Sequence, residues 1–371
     1  MSGFSASDHD WMARALRLAQ YGQATCDPNP RVGCVLVRDG ECVGEAWHAR
    51  AGDPHAEILA LRAAGSAASG ATAYVTLEPC SHYGRTPPCA DALIEAGIAR
   101  AVTASTDPNP RVSGRGLDRL REAGVAVTDG LMAAQSERLN PGFFRRMRAG
   151  LPYVRAKVAA SLDGRTAMAS GESRWITGAA ARRDVHRLRA LSSAVVTGVD
   201  TVIADDPQLT VRDWDEAFLP PRRVVIDSQL RMPTESGLLA DEQGVVVIHG
   251  GTMPAREPDL VRSGAELWQV ALTEEGHVGP VAALEALAGV EVNEVLVEAG
   301  PRLVGAWIQA GVVDELIVYL APHLMGHEGN PMLTLPGLDT MDDRLTLETL
   351  DIRQFGDDLR LTFRVGERKE D

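Results

Sequence analysis

The sequence predicts a two-domain protein of the α/β class. Its 371 residues exceed the size at which one hydrophobic core usually stops growing. Short apolar segments of strand length alternate with helical patterns along the chain, which is typical of sheets covered by helices. At residues 140–150 this alternation is interrupted by Pro141-Gly142 and several arginines. We therefore predict one domain over residues 1–147 and a second over residues 150–371.

The first domain begins with a helical pattern at residues 10–20, where Trp11, Ala15 and Leu18 fall on one face. Asp39-Gly40 lies between two apolar runs and predicts a hairpin turn. The remaining segments are assigned in the same way, as strands at 32–37, 42–46, 73–77, 101–104 and 125–127, and helices at 55–64, 90–96 and 116–123. Together they predict a sheet covered by helices.

The second domain repeats the alternation with longer apolar runs. Its segments are predicted as strands at 153–160, 194–197, 223–227, 245–249, 294–298 and 314–320, and as helices at 180–190, 281–288 and 302–309. Because helical segments lie between some of these strands, a second, separate α/β domain is expected.

Composition excludes several classes of function. The net charge of −14 disfavours a nucleic-acid binder, because phosphate binding needs a basic surface. Residues 1–10 are polar and acidic, which does not fit a signal peptide, and no apolar run approaches the roughly 20 residues of a membrane span. An odd number of scattered cysteines favours a reducing compartment over disulfides. We expect a cytoplasmic protein with no nucleic-acid or membrane partner.

The chemistry is concentrated in His55-Ala56-Glu57, Pro79-Cys80 and Cys89. One imidazole and two thiols give three ligands for a zinc ion and leave a fourth position open, which is typical of catalytic sites. Zinc in such a site lowers the pKa of its bound water to about 7. Glu57 is then the expected general base and acid, as in the zinc nucleobase deaminases.

Each piece alone has a simpler explanation. His-x-Glu is common by chance, and two cysteines also fit a closed structural zinc site or buried thiols. An ideal helix would point residues 55 and 57 about 200° apart, so spacing alone leaves open whether Glu57 faces the metal. Cys26, Cys34 and Cys42 are expected to be small core residues. The three ligands together, with a strand between them, favour the catalytic site.

These residues also resemble a known family. His55-Ala-Glu57 with Pro79-Cys80-Ser-His-Tyr-Gly-Arg-Thr-Pro-Pro-Cys89, and Pro28-Asn-Pro-Arg-Val-Gly33 upstream, are similar to the bifunctional deaminase/reductases of riboflavin biosynthesis. The resemblance implies a cytidine-deaminase-like three-layer domain. Its implied reaction is zinc-dependent hydrolysis of the 2-amino group of 2,5-diamino-6-ribosylamino-4(3H)-pyrimidinone 5′-phosphate. The candidate substrate contacts in the same cleft are Asn29, His48, His82 and Arg85.

In the second domain no Gly-x-Gly-x-x-Gly follows a strand, so a typical Rossmann unit is not indicated. Residues 295–301 instead form a strand–Gly–Pro turn whose helix start could bind a cofactor phosphate. The segments 157–165, 171–177, 205–212 and 298–301 resemble the reductase half of the same family. The resemblance implies a dihydrofolate-reductase-like fold and NADPH-dependent reduction of the ribosyl group of 5-amino-6-(5-phosphoribosylamino)uracil to a ribityl chain.

The same resemblance assigns residue roles in this half. The cofactor contacts are Ala159, Trp175, Thr201, Gly300, Pro301, Arg302, Leu303, Val304, Gly305 and Ala306. The substrate contacts are Ser173, Arg189, Asp205, Leu209, Arg212 and Glu298. Arg189 shares its helix with Arg182, Arg183 and Arg187, and such runs are usually solvated faces. No sequence pattern identifies the proton donor for hydride transfer; Lys157 and Asp205 are candidates.

Three alternatives to two active halves stay open, one of which is a chain in which one half, the reductase if either, has lost its activity. Another is a single-activity zinc deaminase acting on a nucleobase or tRNA, with a C-terminal binding module. The third is a zinc-stabilised scaffold, for which replacing Glu57 would change little. A homo-oligomer, dimer or tetramer, is expected. The sequence does not indicate the number of subunits or whether the intermediate passes directly between the two sites. Nor does it indicate a preference for NADPH over NADH, because no residue is clearly placed on the 2′-phosphate.

Overall fold

A computed structural model of the chain describes residues 3–81, 88–110 and 112–366. The chain divides into two compact units, Met1–Gly150 and Leu151–Asp371. Among the described residues, no helix combines the length and apolar character that crossing a membrane requires.

Unit 1 contains six helices and five strands among its described residues, and a 3₁₀ turn at Gly65–Ala68. In chain order they are α1 (Ala6–Gln20), β1 (Gly33–Arg38), β2 (Glu41–Trp47), α2 (Ala56–Ala64), β3 (Thr72–Val75), α3 (Cys89–Glu95), β4 (Arg100–Thr103), α4 (Arg115–Glu122), β5 (Ala126–Thr128), α5 (Ala133–Leu139) and α6 (Pro141–Ala149). The predicted hairpin is confirmed: Asp39 and Gly40 both have positive φ, as a type I′ turn requires.

The sheet of unit 1 has the order β2-β1-β3-β4-β5, with β1 antiparallel to its neighbours and β3, β4 and β5 parallel. Alternation along β1 separates its two faces. Cys34 and Leu36 pack with α2, α3 and α4, whereas Val35 and Val37 pack with α1 and α5. The unit is therefore a three-layer α/β/α domain, and the zinc-ligand candidates lie on the side of α2 and α3.

Residues 141–149, where the sequence pattern is interrupted, form helix α6. Pro141 is the first residue of α6, where a proline costs no hydrogen bond because that N–H has no partner within the helix. The helix buries Phe143 and Phe144 in the core of unit 1 and ends at Gly150, whose φ is 73°. The Pro-Gly pair starts a helix here, and the chain passes to unit 2 only after that helix ends.

Unit 2 contains the remaining elements and a 3₁₀ turn at Gly237–Leu239. They are β6 (Tyr153–Ser161), β7 (Arg165–Ala167), α7 (Ala179–Ala190), β8 (Ala194–Gly198), α8 (Val199–Asp205), β9 (Arg222–Ile226), β10 (Val245–His249), α9 (Glu257–Arg262), β11 (Ala265–Gln269), α10 (Pro280–Gly289), β12 (Glu294–Val297), α11 (Pro301–Gln309), β13 (Glu315–Ala321), β14 (Asn330–Pro331), β15 (Leu347–Phe355) and β16 (Asp358–Val365).

The main sheet of unit 2 has nine strands in the order β11-β10-β9-β8-β12-β6-β13-β16-β15. Strands from β11 to β13 in this order are parallel, and β16 and β15 close one edge in antiparallel pairing. Helices α10 and α11 cover one face, whereas α7, α8 and α9 cover the other. The carboxyl ends of the central parallel strands therefore point to one edge, where such folds bind ligands.

The predicted strands and helices of unit 2 all form, but two helices and three strands of the main architecture were not predicted. These are α8, α9, β11 and the β15–β16 hairpin. The hairpin lacks a buried pattern because most residues of β15 are exposed, so its sequence shows little apolar alternation. β15 lies at the edge of the sheet, where its backbone pairs with β16.

Candidate functional site in each unit

The three predicted zinc ligands of unit 1 converge. Nδ1 of His55 lies 3.3 Å from Sγ of Cys89 and 3.7 Å from Sγ of Cys80. All three ligand atoms lie within 4.8 Å of one another. His55 is the N-cap of α2 and Cys89 is the first residue of α3, so the positive ends of two helices face the thiols. This field favours thiolates, the form that binds a metal.

The donor set fits a tetrahedral zinc ion. Zinc–sulfur bonds of about 2.3 Å and zinc–nitrogen bonds of about 2.0 Å place tetrahedral ligands about 3.5 to 3.8 Å apart. The distances from His55 to the two sulfur atoms lie close to this range. A hydrogen bond between the thiols lowers the pKa of Cys80 and raises that of Cys89, so they share one proton. A divalent cation would replace that proton, because it stabilises both thiolates.

Glu57 faces the same centre. Its side chain is only 3% exposed, and its Oε2 atom has no hydrogen-bond partner among the described residues. Burial raises the pKa of Glu57 to about 7, and a cation held by the ligands would act in the opposite direction. The side chains of His55 and Glu57 both reach this centre because His55, as the N-cap, has extended backbone angles. The angle of about 200° between side chains two positions apart in an ideal helix therefore does not apply to this pair.

Two of the predicted substrate contacts lie beside the metal ligands. Nδ2 of Asn29 lies 3.0 Å from Nε2 of His48, and the imidazole of His48 packs edge-on against that of His55 with centroids 5.2 Å apart. Nδ1 of His48 lies 3.4 Å from the Pro54 carbonyl, so the imidazole donates there and accepts from Asn29. Burial lowers the pKa of His48. His82 and Arg85 lie outside the described residues.

Glu78, which precedes Pro79-Cys80, was not predicted. Its buried carboxylate accepts backbone N–H groups of Asp107, Gly114 and Gly116 at 3.0, 2.9 and 2.8 Å. A Cβ added to Gly116 would lie 2.0 Å from the carbonyl oxygen of Pro79. The start of α4 therefore packs directly on the segment that carries Cys80. Glu78 was missed because its partners lie 29 to 38 residues away in sequence.

In unit 2, the predicted cofactor turn lies at the carboxyl end of β12. The Gly300 N–H donates to Oγ1 of Thr201 at 3.2 Å, so two of the predicted contacts meet. Gly300 is the N-cap of α11 and Pro301 its first residue. The amides of the first helical turn have no partner within the helix and fit the phosphate groups of a dinucleotide. These observations agree with the implied cofactor.

The other residues of this turn differ in what they expose. The side chain of Val304 is buried in the core, and a Cβ on Gly305 would lie 2.0 Å from the Thr334 carbonyl oxygen. The Val304 side chain faces the core and Gly305 has no side chain, so only backbone atoms of these two residues can meet a ligand. Arg302 and Ala306 are exposed, and Leu303 is half-buried. Ala159 packs beside Ala181 and Tyr319 on the α7 side of the sheet.

Arg189 and Glu298, both predicted substrate contacts, form a buried bidentate pair. Nε and Nη2 of Arg189 lie 2.5 and 3.0 Å from the two carboxylate oxygens of Glu298. Nζ of Lys157 lies 3.0 Å from the same carboxylate. Burial opposes ionisation, yet Arg189 and Lys157 hold the pKa of Glu298 well below its ordinary value. The cluster holds two cations and one anion beside the carboxyl end of β12, which suits an anionic substrate.

The remaining predicted contacts of unit 2 lie in other local environments. The guanidinium of Arg174, next to Ser173, donates to the Asp205 carbonyl. Trp175 is exposed, and the guanidinium of Arg182 lies 4.4 Å from its ring centroid. Leu209 has a φ of 51° and a buried side chain, so its backbone is what remains for a ligand. Nη1 of Arg212 donates to Oε1 of Gln208.

Family comparisons agree with both units. Residues 5–105 match the model of the cytidine and deoxycytidylate deaminase zinc-binding region, and residues 152–361 match the model of the RibD C-terminal domain. The predicted fold class is confirmed: a cytidine-deaminase-like α/β domain precedes a dihydrofolate-reductase-like domain. The zinc-binding character of unit 1 also agrees with its three converging ligands.

Curated relatives match over nearly the whole chain. The riboflavin biosynthesis protein RibD of Escherichia coli strain K12 is 52% identical, covering 95% of this chain and 98% of its own. The protein of the same name from Haemophilus influenzae is 46% identical over 98% of this chain and 99% of its own. Both halves are therefore matched together, in the same order, by single proteins.

Solved structures extend the comparison. RibD of Acinetobacter baumannii, form 1, has 44% identity and a TM-score of 0.90, covering 97% of this chain and 99% of that one. A Thermotoga maritima protein described as a diaminohydroxyphosphoribosylaminopyrimidine deaminase/5-amino-6-(5-phosphoribosylamino)uracil reductase has 29% identity and a TM-score of 0.84, with coverage of 97% and 99%. The resemblance found in the motifs is thereby confirmed, and the chain belongs to the RibD family of riboflavin biosynthesis proteins.

Proposed function

We propose that this chain catalyses two successive reactions. Unit 1 hydrolyses the 2-amino group of 2,5-diamino-6-ribosylamino-4(3H)-pyrimidinone 5′-phosphate and releases ammonia. Unit 2 then reduces the ribosyl group of the deaminated product to a ribityl chain with NADPH. The observation that carries the proposal is the convergence of His55, Cys80 and Cys89 around buried Glu57, in a chain of this family.

In unit 1 the three converging side chains hold zinc, which supplies the Lewis acidity that makes a water molecule nucleophilic at neutral pH. Glu57 is the proton carrier. Its Oε2, which has no hydrogen-bond partner among the described residues, takes one proton of the attacking water and delivers it to the ring nitrogen. Glu57 then passes the proton of the new hydroxyl group to the amine, so the C–N bond breaks, ammonia leaves and a carbonyl remains. Burial keeps bulk water from the carboxyl group, so protons pass between Glu57 and the reacting atoms.

Asn29 and His48 are proposed to hold the pyrimidine ring beside Glu57. Their mutual hydrogen bond fixes the orientation of both side chains within reach of His55. His82 and Arg85 are proposed as further substrate contacts, because their segment joins Cys80 to Cys89. A cationic side chain in that segment suits the phosphate of the substrate.

In unit 2, NADPH supplies a hydride to the substrate. Residues 300–306 are proposed to bind its phosphates. The donors are the N–H groups of Arg302 and Leu303 in the first turn of α11, because Pro301 has no N–H and those of Gly300 and Val304 already donate to Thr201 and to the Gly300 carbonyl. Thr201 is proposed as a further contact that fixes the turn through Gly300. Ala159 and exposed Trp175 are proposed as further contacts, and a tryptophan ring suits stacking on a flat heterocycle.

For the substrate of unit 2 we propose contacts with Ser173, Asp205, Leu209, Arg212 and the Arg189–Glu298 pair. Because Arg189 is fixed on Glu298, it contributes a rigid cation and not a mobile one. Lys157 lies in the same cluster, 3.0 Å from Glu298, and is one candidate for proton donor. Asp205 is the second candidate.

The test is a product analysis with each substrate supplied separately. The diaminopyrimidinone phosphate without NADPH should release one ammonia per molecule, and the deaminated uracil compound with NADPH should oxidise one NADPH. Ammonia release without any NADPH oxidation would leave a deaminase whose second unit is a binding module. Failure of both reactions in zinc-loaded protein would remove the proposal.

Two further properties are proposed. Five free cysteines favour a reducing compartment, so we propose the cytoplasm. We also propose a homo-oligomer, because β15 is an outer strand of the sheet and Leu347, Leu350 and Ile352 on it are exposed. Light scattering on the purified chain tests this. A monomer at micromolar concentration would overturn it.

A further inference from the structure

The segment of residues 208–212 has no regular secondary structure, yet three buried side chains hold its backbone. Nη1 of Arg223 donates to the Gln208 carbonyl at 3.3 Å, and Nη1 of Arg189 donates to the Thr210 carbonyl at 2.8 Å. In the third contact the backbone is the donor: the N–H of Arg212 donates to Nδ1 of His186 at 3.1 Å. Every second residue of the segment is thereby fixed to the scaffold.

His186 supplies a hydrogen-bond acceptor, which the two arginines lack. A guanidinium has no acceptor, so only the imidazole can receive the Arg212 N–H. That hydrogen bond requires a lone pair on Nδ1 and therefore the neutral ring with its proton on Nε2. Nδ1 also lies 3.2 Å from the Thr210 carbonyl, to which a ring with its proton on Nδ1 would donate. That carbonyl already accepts from Nη1 of Arg189 at 2.8 Å, so with Nδ1 as acceptor each of the three groups has a partner. The neutral ring is the form expected at neutral pH, because burial, Arg189 and Arg212 lower the pKa of His186.

His186 and Arg189 stand three residues apart on α7 and so share a face of that helix. Arg189 connects this face to Glu298 at the end of β12, and His186 connects it to Arg212. The helix thus links the buried charge cluster to the segment that carries Leu209 and Arg212. Neither the sequence patterns nor the family comparisons assign a part to His186.

We propose that His186 is a positioning residue of the reductase: it fixes the Arg212 backbone so that the segment of residues 208–212 is preformed for the phosphorylated substrate. This inference rests on the proposed function of unit 2, where Leu209 and Arg212 hold that substrate. Preforming a loop reduces the ordering cost of binding, so its loss weakens substrate binding more than the chemical step.

Two variants separate the hydrogen bond from the ring. His186→Phe keeps a planar ring of similar size and removes the acceptor. His186→Asn places an amide oxygen near the position of Nδ1 and keeps an acceptor. Arg183→Ala, an exposed cation on the same helix, is the matched control. The deaminase of unit 1 in each variant reports on the integrity of the chain, and NADPH binding followed by fluorescence reports on unit 2.

The first measurement is hydrogen–deuterium exchange of the peptide that contains residues 208–212, which needs no activity. His186→Phe should raise the exchange of the Arg212 amide about tenfold, and His186→Asn should restore protection. Unchanged exchange of the Arg212 amide in His186→Phe would show that His186 does not fix the Arg212 backbone. This result is independent of whether unit 2 is a reductase.

The second measurement is steady-state kinetics with the deaminated uracil compound and NADPH. We expect His186→Phe to raise KM for that compound about tenfold with kcat and NADPH affinity unchanged, and His186→Asn to recover most of the loss. Increased exchange with an unchanged KM, or a fall in kcat alone, overturns the positioning role. Absence of NADPH oxidation in the wild type refutes the proposed function of unit 2 and the role of His186 in substrate binding. The exchange measurement still tests the hydrogen bond between His186 and the Arg212 N–H.

Discussion

Nδ1 of His55 lies 3.3 Å from Sγ of Cys89, although 34 residues separate them in sequence. Two helix starts bring these atoms together, one at the N-cap of α2 and one at the first residue of α3. Cys80 completes the set from the segment after β3. A metal is thus held by three separate elements, so its binding should stabilise the packing of all three.

Removing the metal should therefore affect one activity and not the other. Dialysis against a strong zinc chelator should abolish ammonia release, and added Zn²⁺ should restore it. NADPH oxidation with the deaminated uracil compound should be unchanged, because no ligand of the site lies in unit 2. Parallel assays before and after dialysis measure both. Equal loss of the two activities would contradict separate sites.

Gly116→Ala should destabilise unit 1, because its Cβ would lie 2.0 Å from the Pro79 carbonyl oxygen, too close for any relaxed structure. We expect a loss of about 3 kcal/mol, or roughly 9 °C in the temperature at which half of the ammonia-releasing activity is lost. Glu122→Ala on the exposed side of the same helix is the control and should change little. A Gly116→Ala variant as stable as this control would refute the close packing.

Glu298→Gln should impair unit 2, because it leaves the Lys157 ammonium and the Arg189 guanidinium buried without a carboxylate. Removing one partner of a buried ion pair costs about 3 kcal/mol, and the site geometry depends on the same contacts. NADPH oxidation should fall at least about 100-fold while ammonia release persists. Glu285→Gln, exposed on α10, should leave both activities intact. Retained NADPH oxidation in Glu298→Gln would contradict the role of the cluster.

A buried carboxylate also predicts a pH dependence of stability in unit 1. Asp8 accepts hydrogen bonds from Arg100 and Tyr74, and these lower its pKa although burial opposes the shift. Stabilisation by the carboxylate is therefore complete above the unfolded pKa of about 3.9 and is lost as the pH falls below it. Asp8→Asn should cost about 2 kcal/mol at pH 7 and progressively less below pH 4.

The measurement is denaturant unfolding of the wild type and Asp8→Asn from pH 3 to pH 7. Asp10→Asn, exposed on the same helix, is the control and should show no such trend. A difference between wild type and Asp8→Asn that stays constant down to pH 3 would show that the charge of Asp8 is not what stabilises the helix.

The sequence predicts well what is local. The zinc ligands lie in short motifs, and the hairpin turn needs only Asp39 and Gly40, so both are recognisable without a structure. The long apolar strands of unit 2 are equally clear, because burial on both faces leaves a continuous signal.

What was missed depends on distant partners. Glu78 accepts hydrogen bonds from the N–H of Gly116 and its neighbours, and His186 accepts one from the N–H of Arg212, 26 residues away. The exposed edge strand β15 carries little apolar alternation, and Pro141-Gly142 indicates a break until α6 is seen to start there. Such residues are recognised only when tertiary contacts are known.

The central claim is that one chain performs deamination first and reduction second, with Glu57 essential only to the first. The direct test is NADPH oxidation with the diaminopyrimidinone phosphate as sole substrate, comparing wild type with Glu57→Gln at equal zinc content. We predict oxidation by the wild type and none by the variant, which should still oxidise NADPH when the deaminated uracil compound is supplied. Equal oxidation by both proteins from the diaminopyrimidinone phosphate would contradict the account.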